Sequence, residues 1–95
     1  MATGPHLILF YDYVADIVER RAAHREAHLA RINEWTADGR IVMAGALGDP
    51  PTGAAIVFAG ASADEVGTFA DADPYVTAGL VTGRRVVPWT VVSSA

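Results

Sequence analysis

No cysteine occurs anywhere in the 95 residues. Disulfides, thiolate nucleophiles and cysteine-based zinc sites are therefore excluded, and a domain this small must be held by packing or by oligomerising. Basic charge is scarce too: 7 Lys and Arg against 11 Asp and Glu give a net charge of −4. That balance argues against a nucleic-acid phosphate footprint or a basic membrane patch. Long apolar runs are missing, so no segment approaches membrane-spanning length. The opening "MATGPHLILFYDYV" has no basic leader and is broken by Asp12, unlike a signal peptide. Cytoplasm is the expected compartment. Serine nucleophiles are equally thin, because Ser62, Ser93 and Ser94 stand at a helix cap or the terminus.

What remains is a globular composition, 52% hydrophobic and 19% charged, read as a single domain over 1–95. "HLILFYDY" is a strand-length apolar run, and a helical pattern follows from Val14 to Ala37, stopped at Asp38-Gly39. "RIVMAGAL" and "GAAIVFAG" flank "GDPPTG", which suits a hairpin turn and lacks the lysine a phosphate cradle needs. Ser62 and Glu65 have capping-box spacing, so a second helix starts there. Asp73 and Pro74 open a short extra turn as N-cap and first helical residue. "RRVVPWTVV" is a last strand whose Pro88 requires an edge or a bulge. The order βαββαβ predicts an α+β, ferredoxin-like fold: a four-stranded antiparallel sheet with both helices on one face. Ile8 and Phe10 lie on one side of the first strand, and Leu7, Leu9 and Tyr11 on the other. Both sides are apolar, so the face without helices is expected to be buried by a second subunit.

The long helix carries the chemistry. At about 100° per residue, Val14, Ile17, Val18, Leu29, Ile32 and Trp35 form one core stripe. Arg21, Arg25 and His28 project into the same stripe, with His24 at its edge. A buried cation needs a carboxylate, a bound anion or a wet cavity. The plainest reading lets the arginines snorkel out to Asp12, Asp71 or Glu65 and makes His28 a neutral core histidine. Three such residues on successive turns of one face favour a polar pocket instead. His24 and His28 have the i, i+4 spacing of zinc ligands, but "HREAH" is not the metalloprotease HExxH arrangement, so no metal is expected.

"HREAHLARI...DGRIVMAGAL", "DADPYVTAGL" and "VVPW" together resemble the YCII-related (YciI-like) family over nearly the whole chain. The most specific pieces are Arg25-x-x-His28-Leu29 and Asp71-Ala72-Asp73-Pro74-Tyr75, with Gly79 after them. The resemblance implies a dimeric α/β barrel of ferredoxin-like subunits. It also implies a pocket in which His28 and Asp73 form a catalytic pair. His24 has no counterpart in the motif, and Gly45-Ala46 stands where the family has Gly-Pro. Asp73 also has the ordinary role of a cap, and one carboxylate oxygen can cap while the other reaches a histidine.

The function expected is a small enzyme without a cofactor. His28 would act as general acid or base, Asp73 would orient it, and Arg25 and Arg21, with Tyr75 and His24, would bind an anionic or phenolic small molecule. Elimination, isomerisation or hydrolysis would fit such a site. The competing readings are a sensor or accessory domain that binds a small acid, and a monooxygenase on the same barrel fold.

Overall fold

Alternation along the first apolar run sets the frame. β1 (Gly4–Tyr13) lies at the centre of one sheet of order β2-β3-β1-β4, between β3 (Gly53–Phe58) and the edge strand β4 (Val81–Val91). β2 (Ile41–Leu47) forms the other edge, and every pairing is antiparallel. The computed structural model describes residues 3–95, so Met1 and Ala2 of the N-terminal stretch read above lie outside the described residues. Pro88 sits on the edge strand opposite Leu7, where its missing N–H can face away from the ladder. The "GDPPTG" segment joins β2 to β3 as a hairpin.

Leu7, Leu9 and Tyr11 face the helices together with Ala54, Ile56 and Phe58, which stand opposite them on β3. Val66 and Phe69 of α3 (Ala63–Asp71) close this core from above. The capping box is formed as expected: the Ser62 hydroxyl accepts from Glu65 N–H, and the Glu65 carboxylate accepts from Ser62 N–H. Ile8 and Phe10 point to the opposite face, Ile8 in register with Val57 and Val87 and Phe10 with Ala55, while Trp89 stands across from His6. That face is therefore largely apolar too, with Arg85 lying over the Phe10 ring.

The helical pattern from Val14 to Ala37 is not one helix. α1 (Ile17–Arg20) passes into a 3₁₀ turn (Arg21–Ala23), and α2 (Arg25–Ala37) starts anew after His24. A 3₁₀ turn advances about 120° per residue against about 100° in an α-helix, so three residues swing the following face by about 60°. The core stripe expected from uniform spacing is therefore split. Ile17 is buried and Ile32 and Trp35 pack on the core, but Val18 and Leu29 are 46% and 38% exposed. α2 ends at Ala37 with Asp38 as its C-cap, and Gly39 takes φ +86°, the left-handed conformation that glycine supplies freely. The short α4 (Pro74–Thr77) packs beside α2 and returns the chain to β4.

Candidate active site

Asp73 is placed by its own turn. α3 ends at Asp71, and Asp73 adopts extended backbone (φ −67°, ψ 127°) before Pro74 locks the first residue of α4. Its carboxylate is wholly buried and caps that turn through Tyr75 N–H at 3.0 Å. The capping oxygen, Oδ1, is also 2.7 Å from Nδ1 of His28. The other oxygen, Oδ2, accepts from the Tyr11 hydroxyl at 2.8 Å. The cap and the histidine contact thus share one oxygen, where the sequence reading gave them one each. A phenol from the sheet takes the second. Two donors, the Tyr11 hydroxyl and Tyr75 N–H, already meet the carboxylate, and a carboxylate can only accept, so a neutral His28 ring facing it carries its hydrogen on Nδ1.

His28 is the buried residue of α2, and its ring lies flat on the ring of Tyr75, with centroids 3.7 Å apart and planes 6° from parallel. Tyr13 meets Tyr75 edge-on at 5.9 Å. Asp73 and Tyr75 thus hold the imidazole by one edge and one face. Its Nε2 has no protein hydrogen-bond partner among the described residues, and His28 lines a pocket of about 330 Å³. An imidazole held in this way on one nitrogen can exchange a proton through the other.

Arg21 and Arg25 stand at the same pocket, with Ala44, Gly45, Ala46 and Ala54 forming a floor of small residues across β2 and β3. Arg21 is half-buried and Arg25 exposed, so neither is sunk in the core as the helical projection indicated. Among the described residues no carboxylate lies within ion-pair distance of either guanidinium. Of the three acids a purely structural role would call on, Asp71 pairs with Arg84 and Glu65 with Arg40, and Asp12 forms no ion pair among the described residues. Burial raises the Tyr75 phenol above its ordinary value, outweighing the opposite pull of Arg21 and Arg25. Tyr13 is pushed up to about 12, again chiefly by burial. Both phenols therefore remain neutral hydrogen-bonding groups near neutral pH.

Four of the residues picked from sequence as ligand or catalytic groups line this pocket: Arg21, Arg25, His28 and Tyr75. Asp73 stands directly behind His28. His24 is elsewhere, half-buried at the junction of the 3₁₀ turn and α2. Arg31 lies over the Phe69 ring and donates to the Phe69 carbonyl at 2.7 Å. Tyr11 and Tyr13 were missed as site residues. The signal for Tyr11 was present, because a hydroxyl in a buried stripe needs a partner.

Residues 5–90 match the YCII-related domain family. The chain is 33% identical over 94 residues to Protein YciI from Escherichia coli O6:H1, covering 90% of this chain and 96% of that protein. Protein YciI of Shigella flexneri matches equally well. Among solved structures, 5-chloro-2-hydroxyhydroquinone dehydrochlorinase (TftG) from Burkholderia phenoliruptrix AC1100, in complex with 2,5-dihydroxybenzoquinone, aligns with a TM-score of 0.75 at 25% identity. That match covers 90% of this chain and 93% of the other. A candidate antibiotic biosynthesis monooxygenase from Nitrosomonas europaea aligns with a TM-score of 0.59 at 14% identity, over 97% and 94% of the two chains. At that identity the second likeness speaks for the fold alone.

Proposed function

The chain belongs to the YCII-related family, and on that premise we propose a small cofactor-independent enzyme in which His28, oriented by Asp73, moves a proton on a small anionic or phenolic molecule. The observation that carries this reading is the His28 ring: Nδ1 is fixed on a buried carboxylate while the ring lines a pocket holding two guanidinium groups without carboxylate partners. A carboxylate on one nitrogen sets the tautomer and supports the imidazolium that forms when the other nitrogen takes a proton. Arg21 and Arg25 offset negative charge on a substrate oxygen as it develops.

Elimination suits this arrangement best. His28 Nε2 takes a proton from the substrate, the released electron pair forms a double bond, and the leaving group departs with its own pair. The dehydrochlorinase likeness supports elimination over isomerisation or hydrolysis, and its quinone complex supports a ring-shaped, oxygenated substrate. The apolar sheet face supports a homodimer whose second copy covers it.

A second reading rests on the same arginines: a domain that binds a small acid and performs no chemistry. The two part on His28→Ala. Small halogenated and hydroxylated ring acids are screened for binding by thermal shift and for turnover by product analysis. The enzyme reading expects turnover that falls by about 10²-fold or more in His28→Ala, the range a positioned acid or base supplies. A ligand bound tightly by the wild type, with neither turnover nor dependence on His28, would establish the binding domain instead.

A further inference from the structure

Tyr11 is buried in the centre of the sheet, yet its hydroxyl makes one hydrogen bond, to the oxygen of Asp73 that His28 does not use. A phenylalanine would fill the same core volume, so packing does not account for the hydroxyl. Its position is also tightly set. A Cβ on Gly53 would stand 2.2 Å from the Tyr11 carbonyl oxygen, so β3 closes on the backbone beneath Tyr11 only because residue 53 is glycine. Burial and the charge of Asp73 hold the phenol above its ordinary value, so it remains a donor at any pH where an imidazole works. The other charged group acting on it is Arg84, which is itself paired with Asp71.

Resting on the His28–Asp73 reading above, we infer that Tyr11 is a positioning residue. By donating to Oδ2 it fixes the rotation of the Asp73 carboxylate and takes up part of its charge. Oδ1 alone then faces the imidazole, and the hydrogen bond that His28 gives it is weaker than one to an unshared carboxylate. Tyr11, Asp73 and His28 form one buried chain running from the sheet, through a helix cap, to the pocket. Tyr11 acts on substrate only through the other two.

The test reads the His28 Nδ1 proton by NMR in ¹⁵N-histidine-labelled full-length protein, assigned among the chain's 3 histidines. Y11F removes the competing donor, so the Nδ1 proton is expected to move downfield as its hydrogen bond strengthens. D73N puts a neutral oxygen in place of the charged one and is expected to move it upfield. Site-specific 3-fluorotyrosine at position 11 donates more strongly than tyrosine and is expected to move it upfield as well. This variant keeps the hydroxyl and decides the matter if Y11F fails to fold. An Nδ1 proton that responds to D73N but to neither change at Tyr11 overturns the inference and makes Tyr11 a core residue. A proton unmoved by D73N overturns the His28–Asp73 reading itself, and Tyr11's role with it.

Discussion

Replacing Asp73 by alanine and by asparagine tests whether its carboxylate is the organising centre of the pocket or one cap among several. In Asp73→Ala, the Tyr11 hydroxyl, His28 Nδ1–H and Tyr75 N–H lose their common acceptor. A buried donor left without a partner costs about 1–3 kcal/mol, and a lost N-cap about 1 kcal/mol, the latter already counted in the Tyr75 bond. The space vacated by the carboxyl can admit a water that recovers part of this, so the expected loss is about 3–5 kcal/mol. Against a typical stability of about 5–15 kcal/mol, that is a large fraction. Asp73→Asn keeps an oxygen for His28 and Tyr75. Its amide replaces Oδ2, and the Tyr11 hydroxyl can rotate to accept from it. Only the charge assistance is lost, and the expected cost is about 1–2 kcal/mol. Urea unfolding at one fixed protein concentration measures both, since an assembling chain has concentration-dependent stability. Equal costs for the two variants would refute the reasoning, because the donors would then not depend on an acceptor at that place. So would an alanine variant that loses less than about 1 kcal/mol.

Arg25→Met keeps the aliphatic stem and removes the charge, so the fold is expected to stand while affinity for sulfate or a small carboxylate falls about tenfold to a hundredfold, the worth of one charge-assisted bond. Calorimetric titration checks this, and an unfolded variant would make Arg25 structural. At high pH the raised phenols matter. An unfolded chain releases these protons near 10, whereas the fold holds that of Tyr13 to about 12. Between those values the unfolded state binds fewer protons, so stability is full below pH 10 and drains as pH rises to about 12. Urea midpoints across that range are expected to fall, and to fall less in Tyr13→Phe; a flat profile in the wild type would contradict the burial described. Light scattering at micromolar concentration is expected to give about twice the 10.0 kDa chain mass. A clean monomer would mean that the apolar sheet face tolerates water, and the dimer would have to be abandoned.

Local chemistry wrote much of this molecule into its sequence. Period-two alternation marked the strands, Ser62 and Glu65 started α3, Gly39 ended α2, and Pro88 placed β4 at an edge. Each of these signals acts within a few residues, so it survives translation from sequence to structure unchanged. His28 and Asp73 were also legible, because a histidine on an apolar helical face and an Asp before Pro are both anomalies that need an explanation. The break at Arg21–Ala23 was not legible, since no glycine or proline interrupts that stretch. Helical periodicity contains nothing that marks it. Nor could spacing along the chain assign the two oxygens of Asp73. Tyr11 is 62 residues away and His28 is 45, and only the folded sheet, with β3 pressed against β1 at Gly53, brings the phenol and the imidazole to opposite oxygens of one carboxylate.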